Sequence, residues 1–198
     1  MTEISATMVK ELRARSGAGI MDCKEALKEC DADMEKASDF LRKKGLATAK
    51  KRADREASDG VVQSYIHMGG KIGVLVEINC ETDFVAKTDG FLDFTKNIAM
   101  HIAAASPLGV VPEDIPEDVR AKEQEIYKAQ ALEMGKPEKM LDKIVEGKMN
   151  KFYKESCLMN QIYVRDTSLT ISDLLNEMIG KTGEKITIKQ FTRYQIGG

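Results

Sequence analysis

Two β-rich runs on either side of a glycine pair constrain the fold of this chain most strongly. The runs cover residues 61–67 and 72–79, and residues 68–71 (Met-Gly-Gly-Lys) separate them. Runs rich in β-branched residues around a Gly-Gly pair are typical of a β-hairpin. A third β-rich run covers residues 185–194. We expect this third run to pair with the hairpin and complete a three-stranded antiparallel sheet.

Helical periodicity predicts most of the remaining structure, so the predicted fold class is α+β. Apolar residues recur at i, i+3 and i+4 in three short segments within residues 1–50, which indicates a three-helix head. Asp33 is typical of a helix N-cap and Gly45 of a C-terminal stop, so we expect the third helix to lie between them. Further helices are expected at about 91–105 and after Ser172, a predicted N-cap.

Two longer helical stretches, about 117–134 and 138–155, are separated by Gly135 and Pro137. A glycine followed by a proline is typical of one helix ending and the next beginning. The first stretch has few apolar residues among many charges, whereas the second has a continuous apolar stripe. This contrast favours a projecting antiparallel helical arm over a core element.

These patterns divide the chain into two predicted domains. Residues 1–55 form the helical head and a basic linker, and residues 56–198 form the sheet-containing core, whose arm covers about 113–155. The segment 42–55 carries seven basic residues and one acidic residue, Asp54. A solvated helix end and an attraction for an acidic partner both stay open as interpretations of this segment.

Composition excludes several classes of function. The 198 residues are 42% hydrophobic and 31% charged, which suffices for a buried core and a solvated surface. No apolar stretch approaches the roughly 20 residues that span a bilayer, and residues 1–5 lack the basic start of a signal peptide. We therefore expect a cytoplasmic protein without membrane contact. The net charge of −2 provides no general attraction to nucleic acid, so we expect no direct nucleic-acid binding.

The sequence has no recognisable pattern of catalytic or metal-binding residues, so we expect neither an enzyme nor a metal or other cofactor. The four cysteines and two histidines lack the compact spacing of a zinc site, and no glycine-rich phosphate loop occurs. Cys80 has acidic neighbours in Glu81 and Asp83, which raise a thiol pKa and argue against a nucleophile. A thiol-dependent activity at Cys80 is kept as the enzymatic alternative.

Phe84 is unexpected in the polar junction that follows the second β-rich run. Glu81 and Asp83 precede it, and a helical pattern begins near Gly90. Such junctions usually carry small polar residues. The local pattern favours an anchor in the chain's own core, because phenylalanine is usually buried. The alternative is an apolar wedge for a partner.

Two longer motifs resemble a known family. Residues 16–27 read Ser-Gly-Ala-Gly-Ile-Met-Asp-Cys-Lys-Glu-Ala-Leu, and residues 79–87 read Asn-Cys-Glu-Thr-Asp-Phe-Val-Ala-Lys. They resemble the two signatures of bacterial elongation factor Ts, in the order expected, and the resemblance extends essentially from end to end. Only one copy of the family's core subdomain fits, and the chain ends at Gly198 without an extra helix. It therefore resembles the short form, in which two chains pair as a homodimer.

The resemblance implies a fold and a function. Members have a ubiquitin-associated-like three-helix head, a sheet-containing core and a coiled-coil arm. They are guanine nucleotide exchange factors of protein biosynthesis, which bind the GDP form of the GTPase elongation factor Tu and promote GDP release. The competing interpretation is a non-catalytic interaction module that binds a partner through its head and arm.

The resemblance also implies which residues contact the partner. The segment Thr82, Asp83, Phe84 and Val85 matches the part of the family that dislodges the partner's magnesium ion. Phe84 would insert between helices of the partner, and Asp83 would compete for hydrogen bonds near the ion. The head residues that match docking positions are Met21, Asp22 and Lys24. His67, at the predicted hairpin tip, matches a further contact position.

Overall fold

The computed structural model describes residues 4–135 and 137–197. This part of the chain forms eight α-helices and three β-strands, so the predicted α+β class is confirmed. The helices are α1 (Ala6–Ser16), α2 (Ile20–Glu29), α3 (Met34–Lys51), α4 (Asp83–Ala86), α5 (Asp89–Ala105), α6 (Glu117–Glu133), α7 (Glu138–Ser156) and α8 (Ile171–Thr182). The strands are β1 (Asp59–Ile66), β2 (Ile72–Cys80) and β3 (Ile186–Gln195).

The three strands form one antiparallel sheet in the order β1-β2-β3. The hairpin closes where His67 N–H donates to Ile72 O at 2.9 Å, and β3 follows β2 in the opposite direction, with Ile196 N–H donating to Lys71 O at 2.9 Å. Gly69 and Gly70 have φ angles of +87° and +67°, which glycine adopts without a steric penalty. The predicted hairpin and its pairing with the last strand are confirmed.

The chain separates into two compact units. The first contains the N-terminal part of the chain up to Val61, together with Ile78–Phe94 and Asp173–Thr187. The second contains Val62–Glu77, Thr95–Ser172 and the C-terminal part from Ile188. Both units are therefore built from segments that lie far apart in the sequence.

The first unit has a small core formed by α1, α2 and α3. Its fully buried residues are Leu12, Cys23, Ala26, Leu27 and Ala37. Asp33 is the N-cap of α3 as predicted, and its carboxylate accepts the N–H groups of Glu35 and Lys36. The helix then continues to Lys51.

The predicted helix stop at Gly45 is wrong, because Gly45 lies buried inside α3. A Cβ at this position would lie 3.2 Å from Asn176 O and 3.8 Å from Gly180 Cα in α8. Glycine is therefore present here because two helices approach closely, and no turn is required. The predicted N-cap at Ser172 is also wrong, since α8 begins one residue earlier at Ile171, whose side chain is fully buried.

The second unit contains a buried polar contact around His101. The His101 ring is fully buried, its Nε2 lies 3.0 Å from Gln161 Oε1, and its Nδ1 accepts Val164 N–H at 3.3 Å. Both ring nitrogens therefore have a hydrogen-bond partner, which indicates a structural role for His101. In the same unit α6 and α7 pack against each other. Lys148 of α7 donates a hydrogen bond to Gln130 of α6 at 2.6 Å.

Candidate functional site

Phe84 projects from the surface of the first unit, with 78% of its side chain exposed. It lies in α4, a four-residue helical turn that the sequence pattern did not predict. The following residues, Val85 and Ala86, are buried and attach the turn to the unit. The interpretation of Phe84 as a core anchor is therefore wrong, because its neighbours take that role and leave the aromatic ring in solvent.

Thr82 immediately precedes α4, and its hydroxyl and backbone N–H make three hydrogen bonds that fix its position. Its hydroxyl accepts Val85 N–H at 3.4 Å, which makes Thr82 the N-cap of the turn. The same hydroxyl donates to Glu184 Oε1 at 2.7 Å, and Thr82 N–H donates to Glu184 Oε2 at 3.1 Å. Glu184 lies 102 positions further along the chain, and no local sequence signal indicates this contact.

Asp83 occupies the first turn of α4 and pairs with Lys87 one helical turn later. A negative charge is favourable at a helix N-terminus. The hydrogen bond from Lys87 lowers the pKa of the Asp83 carboxyl group from its ordinary value. Both side chains are mostly exposed, so Asp83 is a charged group at the surface beside Phe84.

Glu81 attaches the end of β2 to two other parts of the first unit. Its carboxylate accepts hydrogen bonds from Arg52 at 3.0 Å, from Arg55 at 2.9 Å, and from Lys185 N–H at 2.6 Å. The backbone N–H of Lys185, followed by the two arginines, lowers the pKa of Glu81 to about 2. The carboxylate is therefore charged at neutral pH and acts as a fixed link.

Several charges of the basic segment 42–55 are neutralised within the chain. Besides the two arginines bound to Glu81, Arg42 pairs with Asp173 at 2.7 Å, and Lys44 pairs with Asp22 at 2.8 Å and with Glu25. These pairs fasten α3 to α2 and α8. Most of the segment's charge is therefore used in holding the first unit together.

Cys80 is a buried thiol that donates to Thr82 O at 3.1 Å. Burial raises the pKa of Cys80, and the charge of Glu184 raises it further. The predicted increase in the pKa of Cys80 is confirmed, but it comes from burial and Glu184 and not from Glu81 and Asp83. A buried, protonated thiol is a poor nucleophile at neutral pH.

The predicted docking residues lie at the start of α2 in the first unit. The side chain of Met21 is 74% exposed, and that of Lys24 is also exposed. Asp22 is half-buried and accepts the Lys44 Nζ hydrogen bond. Their short spacing along one helix start places these three residues close together.

His67 belongs to the second unit, whereas the other predicted site residues belong to the first. It is exposed at the start of the turn between β1 and β2, and its Nδ1 lies 3.1 Å from the Tyr65 hydroxyl.

Within residues 4–135 and 137–197, no group of three or more acidic, cysteine or histidine side chains has the arrangement of a metal site. None of the helices in this part of the chain is long and apolar enough to cross a membrane.

Comparison with known proteins identifies relatives over the whole chain. A family model described as Elongation factor TS matches residues 32–198. The elongation factor Ts of Desulfosudis oleivorans is 62% identical over 197 residues, which is 100% of both chains. The elongation factors Ts of Syntrophobacter fumaroxidans and Moorella thermoacetica are each 58% identical, over 98% of this chain and 98% and 96% of theirs.

Proposed function

Because the chain belongs to the elongation factor Ts family, we propose that it is a guanine nucleotide exchange factor of translation elongation. Its partner is elongation factor Tu in the GDP-bound form, and its place of action is the cytoplasm. The factor releases GDP by binding and breaks no covalent bond, so we propose no enzymatic activity. GTP then binds to the emptied site of the partner.

The exposed ring of Phe84 is the observation that supports this function best. An aromatic side chain that is 78% exposed contributes little to the stability of its own chain. It is nevertheless held on a turn whose two ends are anchored, by Thr82 at the start and by Val85 at the end. We propose that this ring is a preformed wedge that inserts between helices of the partner.

The proposed mechanism acts on the magnesium ion and the phosphates of the bound GDP. A GTPase holds its nucleotide through magnesium and through backbone N–H groups, so displacement of either lowers GDP affinity. Insertion of Phe84 and competition by the Asp83 carboxylate would displace the ion. Linkage requires that GDP weakens binding of the factor by the same ratio as the factor weakens GDP.

We propose that Met21, Asp22 and Lys24 dock the first unit on the nucleotide domain of the partner. The exposed Met21 supplies apolar contact, and the neighbouring charges supply orientation. His67 is proposed as a further contact.

The helices α1 to α3 are proposed to form a ubiquitin-associated-like head within a domain of residues 1–55. The helices α6 and α7 are proposed to form a coiled-coil arm within the domain of residues 56–198.

We also propose a homodimer formed through the outer face of the sheet in the second unit. Val62, Ile66, Leu75 and Tyr194 expose apolar side chains there. Gln190 bonds to Glu77 at 2.8 Å across β2 and β3, which places both residues on this face by the two-residue period of a strand. An exposed apolar patch of this kind suits a two-fold interface between identical chains.

A nucleotide-release assay tests the proposed function directly. Elongation factor Tu is loaded with fluorescent GDP, mixed with excess unlabelled GDP, and followed by stopped flow at increasing concentrations of this protein. The expected result is a release rate that rises with concentration and saturates. Binding to elongation factor Tu without faster release would contradict the proposal and favour a non-catalytic interaction module.

A further inference from the structure

The helical turn that carries Phe84 is too short to be stable by itself. A single turn fixes several backbone angles in return for one hydrogen bond, which is unfavourable without other contacts. The exposed Phe84 ring adds little packing, and only Val85 and Ala86 are buried. Besides these two buried residues, the contacts of its N-cap residue, Thr82, help to fix the orientation of the turn.

Glu184 orients the group that caps this turn. A hydroxyl has one hydrogen to donate, and the Thr82 hydroxyl donates it to Glu184 Oε1 at 2.7 Å. This leaves the lone pairs of the hydroxyl to accept Val85 N–H, which lies 3.4 Å away. The second contact, from Thr82 N–H to Glu184 Oε2 at 3.1 Å, fixes the backbone as well. Hydrogen bonds to a carboxylate are stronger than those between neutral groups.

The loop that carries Glu184 is itself held by independent contacts. Glu184 N–H donates to Thr182 Oγ1 at 3.3 Å, and the adjacent Lys185 N–H donates to Glu81 Oε1 at 2.6 Å. The Lys185 side chain donates to Ala53 O and Arg55 O, both at 2.7 Å. Glu184 therefore has a fixed position against which Thr82 can be held.

We propose that Glu184 is a positioning residue for nucleotide exchange, which holds the Phe84 turn in the orientation needed for insertion into the partner. This inference rests on the proposed function. Glu184 acts through Thr82, so its loss should reduce the effect on GDP more than the affinity of docking. The docking residues Met21, Asp22 and Lys24 make none of these contacts.

Glu184→Gln tests the proposal in the release assay with elongation factor Tu. The amide keeps one acceptor oxygen and replaces the other with an NH2 donor, so the Thr82 hydroxyl and N–H cannot both keep their present acceptors. We expect the maximal release rate to fall by about tenfold, with the half-saturating concentration changed by less than about twofold. Glu56→Gln is the matched control, because Glu56 is exposed in the same unit, and it should retain the rate of the unchanged protein.

A double-mutant cycle shows whether Glu184 works through Thr82. Thr82→Val removes the hydroxyl and keeps the backbone N–H, and we expect the loss in the double variant to be smaller than the product of the two single losses, since both variants disturb the contact between the hydroxyl and the carboxylate. Losses that multiply in the double variant would overturn the proposal. A full maximal rate in Glu184→Gln, or a change in half-saturation alone, would overturn it as well.

Hydrogen exchange on the isolated protein supplies a measurement that needs no partner. We expect the amide of Val85 to exchange at least about tenfold faster in Glu184→Gln, while amides in α2 and α3 keep their rates. Unchanged exchange at Val85 would overturn the positioning role. If the unchanged protein fails to release GDP, the proposed function fails, and the exchange of Val85 still decides whether Glu184 holds the turn. If Glu184→Gln unfolds, Glu184→Asp, which keeps the charge and shortens the side chain, carries the same two measurements.

Discussion

At the scale of single residues, adjacent positions in α4 have opposite surroundings. Phe84 is exposed to solvent, whereas Val85 is buried and Thr82 is hydrogen-bonded to a distant carboxylate. Stability therefore resides in Thr82 and Val85, and the proposed activity resides in Phe84. This separation makes the effect of substituting Phe84 easy to interpret.

Phe84→Ala should cut the maximal release rate by at least about tenfold, which corresponds to about 1.4 kcal/mol. The melting temperature should stay nearly unchanged, because little buried area is lost at an exposed position. Phe91→Ala is the contrasting control, since Phe91 is fully buried and its truncation should cost about 3 kcal/mol or more of stability. Thermal melting and GDP release are measured on the same samples. A large melting shift with normal release in Phe84→Ala would rule out the wedge.

The buried His101 should make stability depend on pH. Burial lowers the pKa of His101 from its ordinary value of 6.5, because the charged ring is disfavoured. As the pH falls below about 6.5, the unfolded chain binds a proton that the folded chain does not, so the free energy of unfolding decreases. The contribution of neutral His101 to stability is complete above pH 6.5. It is lost as the pH falls toward the lower pKa that His101 has in the folded protein.

Urea unfolding at pH 7.5 and pH 5.5 measures this dependence, and His101→Gln should make the difference smaller. Glu81 also makes stability depend on pH, but only at pH values below the interval from 5.5 to 7.5. Its folded pKa of about 2 lies below the ordinary 4.5, so its contribution is lost only as the pH falls below about 4.5. An equal loss of stability in the protein and in His101→Gln would exclude His101 as the cause.

At the scale of secondary-structure elements, the proposed docking residues lie on α2, and a close contact between two helices lies on α3. The start of α2 exposes Met21 and Lys24, whereas α3 approaches α8 through Gly45.

Asp22→Ala combined with Lys24→Ala should raise the half-saturating concentration while the maximal release rate stays close to normal. Residues that only dock contribute equally to binding of the partner with and without GDP. Their loss therefore lowers the affinity for the partner and leaves the coupling between factor and GDP unchanged. Lys44 keeps its pair with Glu25 when Asp22 is lost, so α2 and α3 stay connected. Lys28→Ala with Glu29→Ala, at the other end of α2, is the control. An unchanged half-saturation in the first variant would remove Asp22 and Lys24 from the docking surface.

Gly45→Ala should destabilise the protein, although alanine favours a helix by about 1 kcal/mol over glycine. The new Cβ would lie 3.2 Å from Asn176 O, and a backbone carbonyl in a helix can move only if α3 and α8 separate. Gly147→Ala is the control, because it lies in α7 with no atom within 4 Å of a new Cβ, and it should be neutral or stabilising. Denaturant unfolding of both variants measures whether each substitution lowers or raises the free energy of unfolding. A stabilised Gly45→Ala would show that the helices separate easily.

At the scale of the whole molecule, the outer face of the sheet predicts association. Tyr194 is 70% exposed and Ile66 is 67% exposed on neighbouring parts of this face. Both outer strands, β1 and β3, also have an unpaired edge within the described sheet. Edges and apolar faces of this kind are usually covered in native proteins.

Light scattering at micromolar concentration should give a mass of about 44 kDa, twice the 22.0 kDa of one chain. Leu75→Glu combined with Tyr194→Glu should reduce the mass to that of one chain, because two charges would enter the apolar interface. Glu56→Gln, outside this face, should remain a dimer. A single-chain mass for the unchanged protein would contradict the proposed interface.

Local sequence determined the elements of this protein whose signals lie within a few residues. The Gly69-Gly70 turn, the Asp33 cap and the helices on either side of Gly135 follow from backbone preferences that operate over one turn of chain. The two signature motifs likewise identified the family from contiguous residues. These features need no knowledge of what packs against them.

Only the tertiary structure decided the features that depend on distant segments. Gly45 is a residue type typical of a helix stop, yet it lies inside α3, where an added Cβ would be 3.2 Å from Asn176 O of α8. Phe84 is a residue type that usually anchors a core, yet it is exposed and Val85 is buried in its place. The Thr82 cap depends on Glu184, 102 positions away. Burial and hydrogen bonding between such segments arise from the folded path of the chain, and local preference carries no information about that path.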